Sequence, residues 1–157
     1  MPLTPFSKQQ LLPQEEKLEI ARHKSELFIG IPKETSYQER RICLTPDAVS
    51  SLVSHGHRVL LEAGAGESAS YSDKEYSDAG AEITQDPKKV FSCPMILKVE
   101  PLTSAEIEMI NMNTIVISAI QLKTRKKEYF EKLAKKKITA FAFEFIKDDD
   151  GSYPAVK

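Results

Sequence analysis

At 157 residues the chain has the length of one domain, able to bury about 68–70% of the surface its unfolded form exposes without staples. Twenty-two basic and 23 acidic side chains leave a net charge of −1, which excludes a protein built to coat nucleic acid or an anionic membrane. Two cysteines, Cys43 and Cys93, and three histidines, His23, His55 and His57, exclude a disulfide framework or a cysteine-rich zinc site, so no metal is expected.

Residues 1–26 form a polar N-terminal arm, with Pro2, Pro5 and Pro13 at its start and one candidate short helix over Gln14–Lys24. Met1–Lys24 lacks the apolar centre of a secretory signal. No run approaches the roughly 20 apolar residues that span a bilayer. The expected compartment is the reducing cytoplasm, with no membrane association.

From Leu27 the pattern becomes regular. Short, almost continuously apolar runs occur at Leu27–Ile31, Val59–Leu61, Met95–Val99, Thr114–Ile120 and Ile138–Phe143. Strands covered by helices on both faces have this composition. Helix signals fill the gaps. Thr45-Pro46-Asp47 supplies an N-cap, a first-position proline and an acid, and Gly56 a stop. Ser72-Asp73-Lys74-Glu75 and Thr103-Ser104-Ala105-Glu106 match the capping box. Arg125–Lys137 shows Tyr129, Phe130, Leu133 and Ala134 on one face and lysines on the other. The alternation predicts an α/β fold: an open, mostly parallel sheet with helices on both faces, of the Rossmann-like or flavodoxin-like kind. The ending, Asp148-Asp149-Asp150-Gly151 and then Tyr153–Lys157, has the composition of a domain boundary.

In such sheets ligands bind beyond the carboxyl ends of the strands. Arg40 and Arg41, Lys98, Gln121 and Glu144 all fall there. A guanidinium such as Arg41 can grip a carboxylate with two parallel hydrogen bonds. Lys98 interrupts an apolar run, where an unpaired ammonium is costly. Either it points into a site or its strand lies at an edge with one solvated residue. Glu144 is either a site carboxylate or a surface one. Gly64-Ala65-Gly66 imitates a phosphate loop but lacks the third glycine and an apolar helix start, so a structural turn is expected. His55 and His57 flank a helix end, where capping is expected. Cys43 and Cys93 are expected to pack rather than react. Lys135-Lys136-Lys137 is expected to complement a helix dipole.

Taken together, Ile29-Gly30-Ile31-Pro32-Lys33-Glu34, Glu39-Arg40-Arg41-Ile42-Cys43-Leu44-Thr45-Pro46, Glu62-Ala63-Gly64-Ala65-Gly66, Ser72-Asp73-Lys74-Glu75-Tyr76, Ala79-Gly80-Ala81-Glu82-Ile83 and Ile96-Leu97-Lys98-Val99 resemble alanine dehydrogenases and the transhydrogenase α subunit. The resemblance runs from about Leu27 to Lys157. It implies that residues 27–157 are the N-terminal substrate domain of an NAD-dependent L-alanine dehydrogenase, which converts alanine to pyruvate and ammonia. It also implies a following Rossmann domain that binds NAD, a small amino or keto acid as substrate, and a homo-oligomer. By position, Arg41 matches the family arginine on the substrate carboxylate. Lys98 matches the lysine on the carboxylate and carbonyl oxygen. Glu144 is assigned to the substrate site with them. Gln121 stands where family members place a histidine that acts as acid/base during water attack on the imine. Glutamine orients water but exchanges no proton near neutral pH. The alternatives are a transhydrogenase α-subunit domain, a saccharopine- or lysine-type dehydrogenase, and a non-catalytic binding module. Without a dinucleotide fingerprint, the chain alone is expected to be inactive and to bind NAD weakly.

Overall fold

A computed structural model describes residues 26–36 and 38–153; the candidate helix over Gln14–Lys24 lies outside them. Among the described residues six strands form one sheet: β1 (Phe28–Ile31), β2 (Arg58–Glu62), β3 (Glu82–Thr84), β4 (Met95–Leu97), β5 (Ile115–Ser118) and β6 (Thr139–Ala142). Every pairing is parallel, in the order β3-β2-β1-β4-β5-β6. This is the Rossmann order, which resolves the expectation of a Rossmann-like or flavodoxin-like sheet, and among the described residues no strand runs antiparallel. The chain starts in the middle, winds out to β3, crosses back to β4 beside β1, and winds out to β6. Loops leaving β1 and β4 therefore diverge, and a crevice opens between their carboxyl ends.

Among the described residues five α-helices connect the strands: α1 (Pro46–Ser54), α2 (Asp73–Asp78), α3 (Pro87–Phe91), α4 (Ser104–Met109) and α5 (Lys127–Lys135). The Thr45 hydroxyl accepts from the Ala48 N–H to start α1, and both expected capping boxes are formed. β3 and α3 had no counterpart among the expected elements. β3 is a three-residue edge strand with an exposed Glu82, and α3 spans five residues, too few to show a helical period.

Alternate strand residues face opposite layers, as a pleat requires. Ile29, Ile31, Val59 and Leu61 pack with Val49 of α1 and Tyr76 of α2. Leu60 turns to the other face, against Val90 of α3 and Cys93. Ile96 and Val116 continue that second layer with Ile107 of α4 and Leu133 of α5. Gly30 lets α3 approach β1: a Cβ there would sit 2.5 Å from the Val90 carbonyl oxygen. Lys136, after α5, donates from Nζ to the Glu108 and Ile110 carbonyls at 2.6 and 2.7 Å. It thus satisfies the last carbonyls of α4 rather than only its own helix end. His55 is the C-cap of α1, and its Nδ1 lies 2.6 Å from the Ser51 carbonyl. Gly64-Ala65-Gly66 forms a turn, with Gly64 at φ +74°. Among the described residues, no helix is long and apolar enough to cross a membrane.

Candidate functional site

The parallel sheet carries Arg41, Lys98, Gln121 and Glu144 past the carboxyl ends of β1, β4, β5 and β6, hence to one edge. Arg40 lies in the same loop as Arg41 and is exposed. A cleft of about 360 Å³ opens there, lined by Arg41, Cys43, Leu97, Val99, Ile117 and Phe143.

Lys98 follows β4 directly, and its N–H continues the ladder to the Ile117 carbonyl at 3.0 Å. β4 is an inner strand between β1 and β5, which removes the edge-strand explanation for a lysine in this run. The side chain is 1% exposed and lies between two carboxylates. Its Nζ donates to Glu34 Oε2 at 2.5 Å and lies 3.6 Å from Glu106 Oε1. Glu34 leaves the end of β1, so the ion pair bridges the crevice where strand order reverses. The same carboxylate accepts the Val99 N–H on Oε1 at 2.6 Å. Glu106 accepts the Thr103 N–H on Oε2 at 2.6 Å as part of its capping box. Two backbone donors thus offset the second negative charge of a buried cluster that one ammonium cannot neutralise. An ammonium has three donors, so engagement by two carboxylates leaves a third for a ligand oxygen.

Arg41 is the contrasting cation, with a side chain 71% exposed. Its fork is already engaged from one side: Nε donates to Glu39 Oε1 at 2.9 Å and Nη2 to Oε2 at 2.7 Å. The hydrogen-bonded Arg41 guanidinium holds the Glu39 carboxyl at about 2, although burial pushes the other way. Burial pushes the Cys43 thiol up to about 12 and that of Cys93 up to about 11. Both stay neutral thiols, packing residues rather than nucleophiles.

Beyond β5 the chain turns sharply. Gln121 has φ +52°, a left-handed conformation that non-glycine residues adopt at a cost. Glu144 secures it: Oε1 accepts the N–H groups of Ile120 and Gln121, each at 2.8 Å. Glu144 is therefore neither a free surface carboxylate nor wholly open to a ligand, and its buried Oε2 has no partner. The Gln121 side chain is exposed.

Reading residues one at a time missed Glu34, Glu39 and Glu106. The cost of burying Lys98 calls for a carboxylate, but a partner 64 residues away leaves no local pattern.

The N-terminal domain model of the alanine dehydrogenase/PNT family matches residues 30–157. The chain belongs to this family. The alanine dehydrogenase of Bacillus subtilis strain 168 is 37% identical over 122 residues, which cover 78% of this chain and 32% of that protein. A solved L-alanine dehydrogenase superposes with a TM-score of 0.77 at 33% identity, over 82% of this chain and 35% of its own. A transhydrogenase from Sinorhizobium meliloti follows with a TM-score of 0.68 at 31% identity, over 74% of this chain and 35% of its own. The chain thus spans about a third of the length of the relatives it matches. The alanine dehydrogenase/PNT domain here keeps a Rossmann strand order without the Rossmann diphosphate loop. Residues 32–45, between β1 and α1, contain no glycine and carry Glu34 and Glu39. Without a glycine the backbone there cannot make the tight turn and close approach that cradle a diphosphate, so this chain's own residues do not fit the phosphates of a dinucleotide.

Proposed function

We propose that residues 27–157, preceded by the polar arm 1–26, are the substrate domain of an NAD-dependent L-alanine dehydrogenase. The overall reaction would be alanine, NAD⁺ and water giving pyruvate, ammonium, NADH and a proton. The glycine-free β1–α1 loop argues that NAD is held by a separate Rossmann domain of a longer, homo-oligomeric cytoplasmic enzyme. One observation carries the reading: two cations stand past the carboxyl ends of one sheet, Lys98 fixed and buried between two carboxylates and Arg41 exposed on the rim of a cleft.

In this reading Arg41 binds the carboxylate of the amino or keto acid. Lys98 donates its third N–H to the carbonyl oxygen and polarises the α-carbon, within a low-dielectric niche that strengthens the interaction. Gln121, on a turn held by Glu144, orients the water or the substrate oxygen. It cannot carry a proton, so that task falls to Lys98 or to a group outside this chain. A transhydrogenase domain is the lesser reading, in line with its lower structural likeness.

The test is steady-state turnover of alanine with NAD by the full-length protein, from pH 5 to 10, with Gln121→His in parallel. The expected profile lacks a histidine limb, and Gln121→His adds one near pH 6.5. Absence of turnover by a folded protein that still binds NAD would overturn the dehydrogenase reading.

A further inference from the structure

Arginine carries five N–H donors in a rigid plane, enough for two separate forks. Glu39 takes the side fork of Arg41, through Nε and one Nη2 hydrogen. It also accepts the Arg41 backbone N–H on Oε1 at 2.8 Å, which ties the carboxylate to the loop as well as to the guanidinium. The Glu39 side chain is 6% exposed against 71% for Arg41. One partner is anchored and the other projects. The end fork, Nη1 with the second Nη2 hydrogen, has no partner among the described residues, and Arg41 lines the cleft beside Leu97 and Val99. The other carboxylates whose charges reach Arg41 are Glu100 and Glu34.

We propose that Glu39 is the positioning residue of Arg41: by occupying the side fork it aims the end fork into the cleft, ready for the carboxylate of an α-amino or α-keto acid. The proposal rests on the reading of Arg41 as the substrate-carboxylate grip. An exposed arginine otherwise samples many rotamers, and each must be given up when a ligand binds. Pre-orientation removes part of that cost. Glu39 does not compete for the substrate's fork, because it uses the other edge. Its influence therefore belongs in the binding of the carboxylate substrate and not in the chemical step.

The experiment compares Glu39→Gln, Glu39→Asp and Arg41→Ala in the full-length enzyme, assayed with pyruvate, ammonium and NADH. Glu39→Gln is expected to raise the KM for pyruvate about tenfold, with kcat within about threefold and the KM values for ammonium and NADH unchanged. Glu39→Asp keeps the charge one methylene short and is expected to give an intermediate KM; it carries the test if Glu39→Gln does not fold. Four outcomes overturn the proposal. An unchanged pyruvate KM, with Arg41→Ala strongly impaired, removes the role of Glu39 and leaves that of Arg41. A lower KM identifies Glu39 as a competitor of the substrate. Equal losses for all three substrates mark a merely structural effect. If Arg41→Ala is also unimpaired, the grip itself is wrong and the proposal falls with it.

Discussion

Two cations at one sheet edge are kept in opposite ways. Lys98 sits at the crevice between β1 and β4, 1% exposed, with Glu34 and Glu106 against its ammonium and backbone N–H groups against both carboxylates. Arg41 stands on the β1–α1 loop, 71% exposed, and meets one carboxylate from two residues away. A buried pair is expensive to assemble and more expensive to break, because one partner is left charged without a counter-charge. An exposed pair contributes little to stability, since water and salt screen it. The same chemistry, cation on carboxylate, thus serves two ends. Around Lys98 it fixes fold and site together, whereas around Arg41 it sets direction alone.

Glu34→Ala should have the largest effect on stability. It leaves Lys98 with Glu106 at 3.6 Å and strips the Val99 N–H of its acceptor. Breaking a buried pair costs about 3–5 kcal/mol, or a melting temperature lower by roughly 10 °C for a domain of this size. Denaturant unfolding of the chain measures it directly. Adding Lys98→Met should deepen the loss, because it strips buried Glu106 of its remaining counter-charge. A loss below about 1 kcal/mol would mean that the niche is wetter than its burial indicates, and the contrast with Arg41 would collapse.

Arg41→Ala should do the reverse. Stability should stay within about 0.5 kcal/mol, as for an ordinary surface substitution. In the full-length enzyme kcat/KM should fall roughly 30- to 1,000-fold, the loss of a charge-assisted bidentate contact of about 2–4 kcal/mol. Unfolding curves and steady-state kinetics on the same preparation separate the two quantities. Unchanged kcat/KM would reduce Arg41 to a surface residue.

The two cations also differ in how far the sequence betrayed them. Inner parallel strands are apolar on both faces, so β1, β2, β4 and β5 stand out as runs, and β6 reads as one although it is an edge strand with an exposed Phe141. β3 does not, because an edge strand of three residues with Glu82 at its start has no such run. Strand order is invisible in an alternation of strands and helices, which left the Rossmann and flavodoxin arrangements open until β4 was seen beside β1. Lys98 was conspicuous as a charge in an apolar run, but Glu34 and Glu106 were not. Glu34 lies in a polar loop, where a carboxylate is unremarkable, and Glu106 already had a capping role to explain it. Arg41 was legible by its position and its resemblance. Glu39 was close enough in sequence to be weighed as its partner, yet i and i+2 in a loop imply no fixed geometry, unlike i and i+4 on a helix.

The smallest expected effect isolates the exposed pair. Glu39 has its carboxyl held at about 2, against an ordinary value of 4.5, chiefly by the Arg41 side-chain hydrogen bond. A depressed carboxyl stabilises the fold fully above its unfolded value and loses that contribution as pH falls through the folded one. The window therefore runs from about pH 4.5 down to about pH 2. Arg41 is mostly in water, so the contribution should be below about 1 kcal/mol. Many carboxylates titrate in the same range, Glu75 and Asp150 among those with lowered values, and they obscure a single acid profile. They are common to the wild-type chain and Glu39→Gln, so the difference between the two proteins cancels them to first order. That difference, from urea unfolding at pH 6, 4 and 2.5, should favour the wild type at pH 6 and shrink towards zero at the lowest pH. A constant difference would show that glutamine fails there for its shape and not for its charge. A difference of several kcal/mol would place Arg41 in the class of Lys98, with its guanidinium buried rather than projecting into the cleft.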